Sequence, residues 1–149
     1  ACPTGSLSDT DNSSDANSVN KTPFPDVESG AFYTKAMNWA YANGILTGVD
    51  GKGEMQPNRE ITREELAVVM MRYAKSCGIA GVDAEPSEEG ITDWADVSSF
   101  ATSSIKWALA NGVISGVDNL DGTRSLCPHD SASRAQMAKI ILNVEAMRG

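Results

Sequence analysis

The chain has 149 residues, of which 41% are apolar, and 20 acidic against 12 basic side chains give it a net charge of −8. This balance argues against general electrostatic binding to nucleic acid or to an anionic membrane surface. Any anion that the chain binds must therefore contact a local basic group. No apolar run approaches the roughly 18 residues of a membrane-spanning helix, which argues against direct membrane insertion. We expect a globular protein with one modest core or two small units.

The N-terminal 22 residues are polar, with scattered apolar positions that follow neither a helical nor a strand period. Such a segment cannot bury enough surface to offset the entropy of ordering it. We predict that residues 1–22 are a flexible polar linker. Cys2 precedes this stretch as the lipid-bearing cysteine of a bacterial lipoprotein precedes its tether, so lipidation of Cys2 is an open alternative.

The cysteines Cys2, Cys77 and Cys127 are too widely spaced for a zinc or redox motif, so no metal site and no cofactor are expected. In an oxidising compartment Cys77 could pair with Cys127, and isolated thiols are the other reading.

A long segment of the sequence is repeated within the chain. Residues 32–50 return at 100–118, where "NGILTGVD" becomes "NGVISGVD", and after an insertion of three residues the match resumes. The resumed match pairs Pro57 with Pro128, Thr62 with Ser133, and Arg63 with Arg134. The pattern predicts two repeats, residues 23–76 and 93–149, joined by an inter-repeat linker at 77–92.

Each copy opens with a predicted helix. Phe32, Ala36, Trp39 and Asn43 recur at helical spacing, and Gly44 follows where a left-handed residue ends a helix. Phe100, Trp107 and Gly112 repeat this design in the second copy.

The second helix of each copy is predicted from a capping box, Thr62 with Glu65 and Ser133 with Gln136. Apolar stripes at helical period follow both boxes, so both helices must pack against a neighbour. Each copy therefore reads as helix, loop, helix, and the fold class is all-α. The stripes are Leu66, Val69, Met70 and Tyr73 in the first copy, and Met137, Ile140, Ile141 and Val144 in the second.

These motifs, taken in order, resemble the S-layer homology (SLH) repeat of bacterial surface proteins. The first copy carries "FPDV" (24–27), "WAYANGILTG" (39–48), Pro57 and "ITREELA" (61–67), and the second carries "WADV" (94–97), "WALANGVISG" (107–116), Pro128 and "ASRAQMA" (132–138). The resemblance implies tandem helix-loop-helix SLH repeats that pack as part of a helical bundle. The family usually has three repeats and favours Thr-Arg-Ala-Glu where the second copy has Ser-Arg-Ala-Gln.

The resemblance also implies extracellular, non-covalent anchoring at the bacterial cell wall through an acidic, often pyruvylated, secondary cell-wall polysaccharide. Arg63 and Arg134 stand in the first turn of a helix, where free backbone N–H groups and a guanidinium would suit a carboxylate-bearing sugar. The alternative is that each arginine pairs with a carboxylate such as Asp26 or Asp96, which could also orient it. We expect the site to lie in the groove between adjacent repeats.

Other candidate glycan-binding residues also have structural readings. Trp39 and Trp107 could stack on sugars or belong to the core. Gly48 and Gly116 could let a ligand approach the backbone or simply meet a turn requirement. Thr62 and Ser133 cap the helices beside the arginines.

An enzyme is not expected, because no nucleophile and base occur in a recognisable context and His129, the single histidine, reads as a surface residue. The alternative function is a protein-interaction or self-assembly module of a surface layer, in which further SLH repeats of another chain cover apolar faces. With two repeats, Leu66, Val69 and Met70 are expected to be partly uncovered.

Overall fold

The computed structural model describes residues 22–49, 52–79, 81–82 and 85–149, and in these residues the protein is mostly helical. The predicted helices are present, and a short β-hairpin that the all-α prediction did not include follows the third. The elements are α1 (Thr34–Ala42), α2 (Arg63–Ser76), a 3₁₀ turn (Trp94–Asp96), α3 (Thr102–Ala110), β1 (Val117–Asp118), β2 (Arg124–Ser125) and α4 (Arg134–Ala146). None of the described helices combines the length and apolarity needed to cross a bilayer.

The predicted capping boxes are confirmed. Thr62 Oγ1 accepts from the Glu65 N–H at 3.3 Å, and the Glu65 carboxylate accepts from the Thr62 N–H at 2.9 Å. Ser133 and Gln136 exchange the same pair of bonds at 3.2 and 2.9 Å. Each box satisfies two backbone donors, and so α2 and α4 begin at fixed residues.

The predicted stops of α1 and α3 are also confirmed. Gly44 and Gly112 follow the C-caps with φ of +67° and +65°. A Cβ at either position would meet nothing within 4 Å, so the requirement for glycine is the left-handed backbone itself.

The chain divides into two compact units at residues 59 and 60. The first unit contains α1, and the second contains α2, α3 and α4. The compact units therefore do not coincide with the sequence repeats, because the second helix of the first copy belongs to the unit that holds the second copy.

The first unit has a small core and an aromatic contact. Phe24 meets Tyr41 edge to face at 5.6 Å between ring centroids, and a Cβ on Gly48 would lie 2.6 Å from the Phe24 ring. Thr22, the last residue of the predicted linker, is buried and donates its N–H to Asn38 at 3.1 Å; residues 1–21 lie outside the described part. The buried apolar side chains are Val27, Ala40, Ile45 and Met55.

The predicted stripe of α1 is wrong at its N-terminal end. Phe32 precedes the helix, which starts at Thr34, and its side chain is 96% exposed. Phe100, before α3, is 49% exposed. Both phenylalanines lie in turns, where the helical spacing that placed them on a buried face does not apply.

In the second unit, α2 packs against both α3 and α4. Alanines occupy fully buried positions in α2 (Ala67 and Ala74), in α3 (Ala108) and at the N-cap of α3 (Ala101), which lets the helix backbones approach closely. Ile105, Val113 and Val144 fill the space around them with at most 2% exposure. Leu66 and Met70 are buried at 4% and 7% exposure, so the expectation that they are uncovered is wrong.

The state of the cysteines differs from the pairing that the sequence suggested. Cys77 is disulfide-bonded and Cys127 is a free thiol, so pairing of Cys77 with Cys127 is wrong. The suggestion about Cys2 falls outside the described residues.

Asp26 organises the loop after the turn of the first copy. Its carboxylate accepts from the Met55 N–H at 3.0 Å and from the Gln56 N–H at 2.6 Å, and Gln56 adopts a left-handed φ of +51°. The Met55 N–H is the main cause that lowers the pKa of Asp26 below its ordinary value of 3.8.

This lowered pKa predicts acid sensitivity of the first unit. A carboxyl with a depressed folded-state pKa contributes stability that is present above its unfolded pKa and lost as the pH falls through the folded value. We expect Asp26→Asn to destabilise the protein at about pH 6 and to differ less from the parent at about pH 3 in denaturant titrations. Asp96→Asn, at an exposed carboxyl, is the control, and an equal effect of both substitutions would contradict the assignment.

Candidate functional site

The first turn of α2 is held by the loop that precedes α4. The Arg63 N–H donates to the Asp130 carbonyl at 2.9 Å, and the Glu64 N–H donates to the Pro128 carbonyl at 3.0 Å. Because Thr62 accepts from the Glu65 N–H, the first three donors of this helix are occupied. The expectation that free N–H groups lie beside Arg63 is therefore wrong, and the guanidinium is the candidate anion-binding group of this turn.

The Arg63 side chain is half-buried and oriented by a carbonyl. Its Nε donates to the Leu126 carbonyl at 2.8 Å. No carboxylate pairs with this guanidinium within the part of the chain that the structure describes, so the alternative pairing with Asp26 or Asp96 is not observed. Both terminal nitrogens of a positioned cation are thus available to an anion.

The carbonyl that orients Arg63 is itself positioned by Asp93. The two carboxylate oxygens of Asp93 accept from the Leu126 and Cys127 N–H groups, each at 2.7 Å, and Cys127 has a left-handed φ of +49°. Asp93 thus repeats the role of Asp26 in the first copy.

Sequence reasoning missed Asp93 and paired Asp26 with Asp96 through the matching "DV" of the two copies. Asp96 instead lies in the 3₁₀ turn and is exposed. The second copy has one extra residue between this aspartate and its phenylalanine, which hid the equivalence. Sequence distance gave no signal for Asp93 either, because Asp26 precedes Met55 by 29 residues, whereas Asp93 precedes Leu126 by 33 and Asp96 precedes it by 30.

Glu64 is a second residue that sequence reasoning did not single out. Its carboxylate is buried at 4% exposure and accepts from the Ser98 N–H at 3.0 Å and the Ser98 hydroxyl at 2.7 Å. His129 Nε2 lies 3.7 Å from the same carboxylate. The negative charge sits in the first turn of α2, where the helix dipole favours it, and it ties this turn to the segment before α3.

An open groove of about 320 Å³ lies beside Arg63. Three elements form it: the first turn of α2, the turn after α3, and one face of α4. Asn143 fixes two of them together, because its side-chain amide donates to the Gly112 and Val113 carbonyls at 3.2 and 3.1 Å. The lining residues are Arg63, Val113, Ile114, Ser115, Gly116, Val117, Ala135, Gln136, Lys139, Ile140 and Asn143.

The described residues that line the groove include two cations, Arg63 and Lys139, and no acidic side chain. This local charge is opposite to that of the whole chain, whose net charge is −8. The apolar part of the lining comes from valine and isoleucine side chains, so the groove offers both a hydrophobic wall and positive charge.

The structure brings only some of the predicted site residues to this groove. Gly116 lines it together with Arg63, and its φ of +79° makes the turn possible. Thr62 and Ser133 cap their helices, as predicted, but neither is among the lining residues. Arg134 is exposed and outside the groove.

The tryptophans have structural surroundings. The backbone of Gly81 passes so close to the Trp107 indole nitrogen that a Cβ would not fit, and Asn111 holds the next residue, Val82, through both its amide atoms. Trp107 is therefore half-buried under the inter-repeat linker and does not line the groove. In the first unit, Trp39 is half-buried and its carbonyl accepts from Asn43 at 2.8 Å.

Comparison with known proteins agrees with this repeat architecture. The profile of the S-layer homology domain matches residues 23–67 and 90–138, which is more than half of the chain. The chain belongs to the S-layer homology domain family. SLH proteins are associated with the bacterial cell surface and cell wall, where the domain serves as an anchor.

Three larger proteins each contain a segment that is similar to this chain. The chain is 33% identical over 123 residues to exoglucanase XynX of Acetivibrio thermocellus and 34% identical over 124 residues to an amylopullulanase of Thermoanaerobacterium thermosulfurigenes. It is 32% identical over 130 residues to the surface-layer 125 kDa protein of Lysinibacillus sphaericus. These matches cover 79%, 79% and 83% of this chain but 10%, 6% and 10% of the respective relatives.

The Asp93 contacts lead to a test in which Asp96 is the matched control. We expect Asp93→Ala to lower the free energy of unfolding by about 1.5–3 kcal/mol, because two backbone donors lose a charged acceptor. Asp96→Ala, at the position that the sequence match had favoured, should change stability by less than about 0.5 kcal/mol. Denaturant unfolding of both variants checks this, and a larger loss for Asp96→Ala would contradict it.

Proposed function

We propose that this SLH module anchors its protein to the bacterial wall by binding an acidic secondary cell-wall polysaccharide in the groove beside Arg63. The observation that carries the proposal is the half-buried Arg63 guanidinium, which a carbonyl orients and which no carboxylate neutralises among the described residues. A structural arginine usually has its charge paired, whereas a binding arginine must keep its hydrogen-bond donors for the ligand.

The chemistry of the groove fits a sugar acid. The Nε bond to Leu126 fixes the plane of the guanidinium and leaves the terminal nitrogens to donate two parallel bonds to a carboxylate, such as that of a pyruvate ketal. Ile114 and Ile140 offer apolar contact to the C–H face of a sugar ring. The carboxylate would thus be recognised by charge and geometry, and the ring by shape.

The remaining predicted residues take different parts in this proposal. Arg134 occupies in the second copy the position of Arg63, and we expect it to act in the same way in the groove that a further repeat would complete. Gly116 keeps the turn close to the ligand. The aspartates, the capping residues, the tryptophans and Gly48 support the fold around the sites rather than contact the sugar.

Substitution of Arg63 tests the proposal. Arg63→Ala should weaken binding to purified wall polysaccharide by about 1.5–3 kcal/mol, the range for hydrogen bonds to a charged group. Arg63→Lys should bind with intermediate affinity, because it keeps the charge but loses the planar pair of donors. Isothermal titration calorimetry measures both affinities.

Lys75→Ala is the control, because it removes one positive charge from an exposed position near the end of α2, outside the groove, and should leave the affinity unchanged. Far-ultraviolet circular dichroism of each variant verifies the fold. An Arg63→Ala variant that is folded and binds the polysaccharide as tightly as the parent protein would refute the proposed function.

A second candidate function, self-assembly through SLH repeats, is favoured by the exposed face of α4. The repeat pairs Leu66 with Met137 and Met70 with Ile141. The two residues of α2 are buried at 4% and 7% exposure, whereas their counterparts on α4 are 38% and 42% exposed. The face that is covered on α2 is thus uncovered on α4, and Leu142 beside it is 62% exposed. We propose that an SLH repeat of another chain covers this face.

This second candidate predicts concentration-dependent association. Ile141→Asp should shift sedimentation toward the monomer, because a charge on an apolar contact face must be desolvated when the face is covered. Leu120→Asp is the control, because Leu120 is fully exposed at the tip of the β-hairpin. A parent protein that sediments as a monomer at high concentration would contradict this candidate and leave the polysaccharide proposal unaffected.

A further inference from the structure

We propose that Lys139 is a second anion-binding residue of the groove and that the groove therefore takes a stretch of saccharide carrying two acidic groups. One group would meet Arg63 on the α2 side and the other would meet Lys139 on the α4 side. This inference rests on the proposed function and adds a residue and a ligand property to it.

The first observation is the arrangement of charge. Arg63 and Lys139 come from different helices, α2 and α4, and both line the same groove. The described residues between and around them contribute no carboxylate. Two like charges that face one cavity repel each other without an anion, and a ligand with two negative groups would relieve that repulsion at both places.

The second observation is the position of Lys139 in the repeat. Its counterpart in the first copy is Val68, which is buried at 7% exposure. The SLH framework therefore does not require a lysine at this position. In the second copy the side chain is exposed and lines the groove, so the lysine adds positive charge where the first copy has an apolar residue.

The third observation concerns ion pairing. Several other basic residues of the second unit pair with acidic side chains: Lys106 with Glu85 at 2.6 Å, Arg124 with Asp118 at 3.0 Å, and Arg148 with Glu145 at 3.1 Å. Lys139 has no such partner within the described residues, although acidic residues outnumber basic ones in the chain. The two cations of the groove thus share the property of keeping their charge available.

The test compares variants against two probes, purified wall polysaccharide and the same polysaccharide after chemical reduction of its carboxylates to alcohols. Lys139→Gln should bind the native polysaccharide about tenfold more weakly, and its affinity should depend less on salt concentration, because one charge contact is lost. Lys139→Arg should restore most of the affinity. Neither change should affect the residual binding of the reduced polysaccharide.

Lys75→Gln is the matched control, because it removes one positive charge from an exposed position near the end of α2, outside the groove. Unchanged affinity in Lys139→Gln, with a clear loss in Arg63→Ala, would overturn this inference and leave the proposed function standing. An equal loss of affinity in Lys75→Gln would also overturn it, because the loss would then result from the change in net charge and not from a contact in the groove. Unchanged affinity in both Arg63→Ala and Lys139→Gln would refute the proposed function and the inference with it.

Discussion

The hydrogen bonds between the first turn of α2 and the loop before α4 are the interaction on which the second unit depends. The N–H groups of Arg63 and Glu64 need acceptors, because a helix leaves its first donors unsatisfied. The carbonyls of Asp130 and Pro128 provide them, and the Ala132 N–H donates in return to the Ile61 carbonyl at 3.0 Å. The second helix of the first copy is thereby built into the second copy, which explains why the compact units divide at residues 59 and 60 rather than in the inter-repeat linker.

The same contact creates the candidate site. The Asp93 carboxylate accepts from the Leu126 N–H, and the Leu126 carbonyl accepts from Arg63 Nε. On the other side of the groove, the Asn143 amide donates to the Val113 carbonyl of the turn after α3. Each of these groups is positioned by a hydrogen bond before any ligand arrives, so binding does not have to order them. The buried Glu64 carboxylate, bonded to Ser98, fixes the same turn from the opposite direction. The orientation of Arg63 is therefore a consequence of how the repeats join.

Local structure could be predicted from the sequence because its determinants lie within a few residues of one another. The capping boxes at Thr62 and Ser133 and the left-handed Gly44 and Gly112 are of this kind. The partners of α2 could not be predicted, because a repeat suggests that each copy packs on itself. Asp93 was hidden by a single extra residue, and Lys139 carries no local signal, since its significance comes from a groove whose walls are distant in sequence. Phe32 was misplaced because it continues the helical spacing of Ala36 and Trp39 although it lies just before α1 begins.

Membership of the SLH family indicates anchoring at the cell surface. The basic groove in an acidic chain supports our proposal that the ligand is an acidic glycan, and Arg63 is the central element of that proposal. A crystal structure of the full chain in complex with an acidic fragment of wall polysaccharide tests it most directly. The account predicts a ligand carboxylate within about 3 Å of the terminal nitrogens of Arg63, with the Nε bond to Leu126 retained. A fragment bound elsewhere, with the Arg63 guanidinium uncontacted, would contradict it.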